Sequence, residues 1–385
     1  MPLYLALKEI WYNKGRFLLI ASIVALITTL ILFIAALAEG LGNGNREYIS
    51  KLEGELLVYQ KNVDLAISAS QLGRPTVAAI RRVPGVADLG QISFAAGELL
   101  LPDGVENINI SLIGVESGRP GEPKVLEGRQ LSANRGSEVL IDINVVNRTP
   151  YRLGDTITIK TTQGVDEKTF ELKVVGVVPG SQISVAPGLI LPFETWERVR
   201  PQGDPDQVGK GALVSNLVTV KLTNPADQVA MAQRIEAQVD KVEVVDLVTA
   251  YENTPGYSAQ QSTLSTQRYF TLFIGILVVG GFFQFQTLQK IAQVGMLKAI
   301  GASSFTVGMA ALLQIIVINA FGVLIGAAGT QLLKLGLPPA IPIVFTGDAA
   351  VAAIGLLMVV GPLGGLVSVI LLLRVEPLRA LGLAQ

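Results

Sequence analysis

The side chains that most often carry covalent chemistry are missing from this sequence. Its 385 residues include no cysteine and no histidine. That removes thiol nucleophiles, His-based triads, disulfide scaffolds and Cys/His zinc sites. The nearest approach to a phosphate-binding loop is Gly203–Gly211, with Gly209, Lys210 and Gly211 at its end. It has five residues between its glycines where a P-loop has four, and no Ser or Thr follows the lysine. It reads as a polar loop, so no ATP site, cofactor site, metal site or catalytic residue is assigned to this chain. Carboxylates inside apolar segments would point to a proton relay. Only Glu39 and Asp348 come near, each at the end of an apolar run, which disfavours proton-driven work. The 30 basic and 31 acidic residues nearly cancel, which gives no support to nucleic-acid binding.

The elements around these residues point to a bilayer. Half the chain is hydrophobic and 16% is charged, against about 25% charged in soluble domains. Four stretches are long enough to cross about 30 Å of hydrocarbon: Phe17–Ala38, Phe270–Leu288, Val307–Leu333 and Ala349–Leu373. The first is too long for a signal-peptide core and reads as an uncleaved anchor. Lys8, Lys14 and Arg16 precede it, Lys290 and Lys298 lie between the second and third spans, and Arg374 and Arg379 follow the fourth. The positive-inside rule then puts both termini in the cytoplasm and the long segment after span one outside. The expected fold class is a four-span α-helical membrane protein with a large mixed α/β extracytoplasmic domain inserted between helices one and two. Its divisions are an amphipathic cytoplasmic helix at 1–16, the first span at 17–43, the outer domain at 44–266 and a three-span permease domain at 267–385.

Within the outer domain, Glu55–Gln60 alternates as a strand, Thr76–Val83 has helical spacing, and Gly97–Leu101 is extended. The same order returns as strand Leu217–Leu222, a cap at Asn224 before Pro225, helix Ala226–Val239 and strand Val242–Leu247. The two units read as halves of one subdomain. Between them lie short β-rich runs at Glu138–Asn144, Thr156–Thr161, Phe170–Val178 and Leu189–Leu191, which predict an inserted β subdomain at about 124–200. Arg200–Gly211 reads as an exposed loop.

Gln289–Ser303 is the most informative stretch. Ile291, Val294, Leu297 and Ile300 recur every three residues, which predicts a short amphipathic helix lying along the membrane. It serves either as a surface anchor or as a docking element for a cytoplasmic partner. Gly322/Gly326 and Gly361/Gly365 form GxxxG pairs, read here as close helix packing within the chain.

Three motifs then carry a resemblance that covers nearly the whole chain. Ala6-Leu7-Lys8-Glu9-Ile10 with Asn13-Lys14-Gly15-Arg16, the loop Val294–Ala302, and the tail Val375-Glu376-Pro377-Leu378-Arg379-Ala380-Leu381 resemble the FtsX/MacB-like ABC-transporter permeases. Leu153–Ile159 and Phe170–Val178 are similar to that family's outer core domain. The phrase Gln289–Gly295 and the run Ala38-Glu39-Gly40 resemble its HrtB-type haem-efflux branch.

The resemblance implies a non-catalytic permease subunit in a bacterial inner membrane. It would form a homodimer and couple to a separate ABC ATPase chain that binds ATP and Mg. The coupling segment would be Gln293, Val294, Gly295, Met296, Leu297, Lys298 and Ala299. Cargo would be haem or another amphipathic compound, met at the outer ends of spans one and two by Glu39, Tyr48, Tyr257 and Tyr269, with Phe270 and Phe273 as apolar walls. Tyrosine oxygens can ligate ferric haem, and an interfacial aromatic belt is the simpler alternative. Two other readings remain open: an exporter of lipid, peptide or macrolide that needs a periplasmic adaptor and an outer-membrane duct, and a transmembrane signalling subunit that transports nothing.

Overall fold

The computed structural model describes residues 2–102, 106–183, 186–203, 214–255, 257–337, 341, 343–344 and 347–373. Most of the Gly203–Gly211 loop and the tail motif at 375–381 lie outside these residues. The chain divides into two compact units, Leu41–Gln260 and the pair of segments Met1–Gly40 and Gln261–Gln385.

Two helices come first, α1 (Pro2–Tyr12) and α2 (Lys14–Arg46). The second unit, Leu41–Gln260, follows. It contains strands β1 (Leu56–Gln60), β2 (Leu72–Gly73), β3 (Val86–Leu100), β4 (Ile108–Val115), β5 (Glu127–Gly128) and β6 (Glu138–Asp142). Strands β7 (Thr156–Gln163), β8 (Asp166–Val178), β9 (Gly188–Pro192), β10 (Val214–Ser215), β11 (Leu217–Leu222) and β12 (Val242–Asp246) complete it. Its helices are α3 (Arg74–Arg81), α4 (Ile143–Arg148), α5 (Phe193–Val199), α6 (Gln228–Gln238) and α7 (Leu247–Glu252).

The repeated strand–helix–strand units do form one layer. β1–α3–β3 and β11–α6–β12 interleave as antiparallel neighbours in the order β12-β1-β11-β3, the split βαβ arrangement. Both helices cover one face, where Val77, Ile80, Met231 and Ile235 pack on Leu56, Val58, Val218 and Val220. Asn224 accepts a hydrogen bond from Ala226 N, capping the turn that opens α6.

The chain between β3 and β11 builds the β-rich part. β3 pairs with β4, β4 with β9, β9 with β6, β6 with β8, β8 with β7, and β7 returns to β3. That ring leaves no free edge among its six strands. Leu99, Ile110, Leu112, Ile141, Ile159 and Leu189 fill its interior. The barrel therefore takes β3 and β4 as staves, so its boundary falls well before residue 124. At the end of β6 the strand predicted to Asn144 stops two residues early. Asp142 is fully buried and turns the chain by accepting from Asn144 N and Val145 N at the start of α4. It also accepts from Ser181 N at 3.0 Å and Gly188 N at 3.1 Å. Burial pushes its carboxyl above the ordinary value, against the downward pull of these bonds.

The other unit is helical: α1, most of α2, α8 (Tyr257–Ala299), α9 (Ser304–Gly336) and α10 (Gly347–Leu373). Among the described residues, Lys14–Gly42, Tyr257–Ala299 and Ser304–Gly336 are long and apolar enough to cross a bilayer. α10 contributes an apolar run at Ala353–Val367. Glycines set the contacts. A Cβ on Gly322 would lie 2.6 Å from Val24, and one on Gly326 would lie 2.5 Å from Ala25 O. Both face α2 from α9. Gly361 and Gly365 face Asn319 and Ile315 of α9, so both GxxxG pairs serve packing within the chain. Gly280 of α8 and Gly364 of α10 meet backbone to backbone.

Pro362 lies inside α10 and cannot donate to the carbonyl four residues back, Met358 O. Asn319 of α9 supplies that bond. Its amide donates to Met358 O at 3.2 Å and Leu357 O at 3.1 Å. In a medium without water, such a replacement is what permits proline within a spanning helix.

Candidate functional site

The segment Gln289–Ala299 does not form a separate helix along the membrane. It is the last three turns of α8, which runs unbroken for 43 residues, about 64 Å at 1.5 Å per residue. No proline stands between Leu288 and Ala299, and the single glycine there, Gly295, is buried within the helix. The helix stops only at Gly301, whose φ of 101° suits glycine. There Ala302 N donates to Leu297 O at 2.9 Å. Ser303 then caps α9 by accepting from Thr306 N.

This tight turn sorts the coupling candidates by exposure. Val294 and Gly295 are buried in the bundle. Met296, Leu297 and Ile300 are 58%, 40% and 78% exposed, with Phe305 exposed across the turn. Gln293 and Ala299 are also exposed, while Lys298 reaches Leu373 O at 3.1 Å. The result is an apolar knob on a stiff helix. Behind it, Glu9 of α1 pairs with Lys290 of α8 and accepts from the amide of Gln314 on α9. Lys290 also stands 5.5 Å from the centre of the Phe17 ring. Three helices are thereby tied at the end of the bundle that carries the knob.

The outer-end candidates separate. Glu39 is half-buried in the last third of α2. Tyr48 is a core residue: it is 2% exposed, its hydroxyl donates to Gly121 O at 2.7 Å, and its ring meets Phe94 edge-on. Burial holds that phenol protonated well above the ordinary tyrosine value, so Tyr48 offers no oxygen to an incoming ligand. Residue spacing gave no hint of this, because burial depends on the later strands that cover it. Tyr257 opens α8 and stacks edge-on with Tyr251 at 6.4 Å. Tyr269 is exposed, as are Phe270 and Phe273 nearby. Twelve residues of helix put Tyr257 and Tyr269 about 18 Å apart, too far to share one metal ion. Among the described residues no group of three or more acidic side chains is placed to hold a metal.

An apolar helical unit with glycine seams stands beside a split-βαβ and barrel unit in one chain, the combination expected of a membrane permease with a soluble core domain. The family model for the MacB-like periplasmic core domain matches residues 17–238, and the chain belongs to that family. The relatives are ABC transporter permeases. A Staphylococcus haemolyticus chain bearing the name hemin transport system permease protein HrtB is 26% identical over 98% of this chain and 99% of its own length. An uncharacterized ABC transporter permease of Mycobacterium tuberculosis is 23% identical, covering 99% of both chains. Among solved structures, the periplasmic region of MacB from Actinobacillus actinomycetemcomitans shares 14% identity, with a TM-score of 0.37, over 54% of this chain and 97% of that one.

Proposed function

We propose that this chain is the permease half of an ATP-driven exporter that moves haem or a similar amphiphile outward across a bacterial inner membrane. The observation that carries the reading is similarity to the hemin permease relatives along the whole chain, outer domain and spans together. Four helices cross the bilayer, both termini are cytoplasmic, and two copies pair. A separate ATPase chain binds ATP and Mg and grips the knob of Met296, Leu297 and Ile300. Its closure pushes on α8, which continues without a break toward the outer end of the bundle. The exposed apolar side chains on that helix turn support the docking role, since an unpartnered cluster of this kind favours a protein partner. Glu39, Tyr257 and Tyr269 remain the groups offered to cargo.

The test is ATP hydrolysis by the permease–ATPase complex in nanodiscs, with and without haem. The reading expects stimulation that saturates with haem. A rate indifferent to haem, but raised by an added periplasmic adaptor, would shift the assignment to a duct-coupled exporter. The chain lacks cysteine, so topology can be checked by Val165→Cys at the exposed β7–β8 turn. Labelling in intact cells is expected without permeabilisation.

A further inference from the structure

The inner end of the helical unit contains a cavity of 450 Å³ between α1, α8, α9 and α10. Its walls differ in chemistry. Phe283 and the small side chains of Ala310 and Ala311 give an apolar side. Gln286, Thr287 and Gln314 give a polar side, and Lys8 and Lys290 stand among the lining groups with Glu9. Gln286 and Thr287 are each only 6% exposed. Gln286 and Thr287 bring an amide and a hydroxyl to the lining, and the Gln314 amide donates to Glu9. These polar groups border a space with room for a head group. Two lysines against one glutamate leave a net positive charge.

We propose that this cavity is a second ligand site, for an amphiphile with a carboxylate or phosphate head and an apolar body. The head takes hydrogen bonds from Gln286, Thr287 and Lys8, and the body lies against Phe283. Val294 and Leu297 of the coupling segment also line the cavity, so an occupant abuts the residues proposed to meet the ATPase. This inference rests on the export reading only in treating a porphyrin dicarboxylate as one source of the head. An anionic phospholipid is the other.

The experiment uses the full chain in phosphatidylcholine nanodiscs with two probes. One is metal-free protoporphyrin, followed by fluorescence anisotropy, and the other is phosphatidylglycerol, counted by native mass spectrometry. Two variants remove the site differently. Gln286→Leu with Thr287→Val deletes the polar groups at nearly constant volume, and Ala311→Phe fills the space. The expected result is saturable binding of at least one probe, weakened about tenfold in the double variant by loss of two hydrogen bonds and abolished by the filled one. The probe affected names the source. Unchanged affinity for both probes in both variants overturns the proposal, as does absence of binding by the wild type. Loss of ATPase association with probe binding intact also overturns it, making the cavity a protein-docking groove. Haem-stimulated hydrolysis with unaltered probe binding would sink this site alone. Phosphatidylglycerol binding without any response to haem would sink only the export reading.

Discussion

Leu112 in the barrel has no exposed surface, whereas Leu26 in α2 leaves three-quarters of its surface outside the protein. The contrast recurs throughout the two units. The outer domain buries Ile, Leu and Val on both faces of its sheet and exposes lysine, arginine and glutamate. The helical unit turns Leu26, Phe270 and Leu324 outward, and inside it places glycine, Asn319, Gln314 and Thr330. Water drives the first arrangement. In the bilayer, lipid is as apolar as leucine, so helix contacts rely on close backbone approach and on hydrogen bonds.

The largest difference this predicts is between two leucine truncations. Leu112→Ala should cost roughly 2–5 kcal/mol of outer-domain stability through lost burial and a cavity. Leu26→Ala should cost under about 0.5 kcal/mol, as expected away from packed or polar features. Denaturant unfolding of the reconstituted chain measures both, and similar losses would break the comparison. Next is Gly364→Ala. An alanine in a helix ordinarily gains about 1 kcal/mol over glycine. Here the new methyl would sit 2.8 Å from Ile276 O and 2.9 Å from Gly280 N, so a net loss of about 1–3 kcal/mol is expected from overpacking. A stabilised variant would place the α8–α10 contact elsewhere.

A smaller effect should come from Asn319→Leu, about 0.6–1.7 kcal/mol for hydrogen bonds inside a membrane bundle. The cost should shrink in a Pro362→Ala background, because the substituted residue would bring back a backbone N–H and with it the missing donor to Met358 O. Equal costs in both backgrounds would remove the link between Asn319 and the proline.

The smallest effect belongs to a water-exposed pair on the outer domain. Arg129 donates to Glu138 and, with Ser132, holds its carboxyl down at about 2 against an ordinary 4.5. A depressed acid stabilises the fold above its unfolded value, and that contribution fades as pH falls from about 4.5 to about 2. Both side chains remain partly in water, so the slope should be shallow and weakened by salt. Thermal melts across this window should show it, and Arg129→Met should flatten it.

Legibility in the sequence followed the same divide. β11 coincides with its predicted range, and β1, α3 and β12 fall within a residue or two, because alternation and turn residues are local signals. Barrel closure was not legible, since β3 pairs with β7 across some 60 residues and nothing local specifies it. α4 was hidden because Asp142 looked like one more strand residue until its side chain was seen to cap the helix. In the spans, GxxxG pairs were visible, but the single glycines Gly280 and Gly364 carry no pattern. Gln286 and Gln314, uncharged amides buried in the bundle, carry no charge signal in the sequence. The α8 extension was missed because the apolar run ends near Leu288 while the helix continues to Ala299.

In the proposed mechanism, force from an ATPase enters at the Gln289–Ala299 end of α8 and drives export. The direct measurement is ATP-dependent haem movement in vesicles carrying the permease and its ATPase, comparing wild type with Met296→Asp and Leu297→Asp. A charge placed at an apolar docking contact costs several kcal/mol unless it is paired. Both variants are expected to fold and bind haem but neither to retain the ATPase nor to move haem. Full ATPase association and wild-type haem movement in both variants would contradict it.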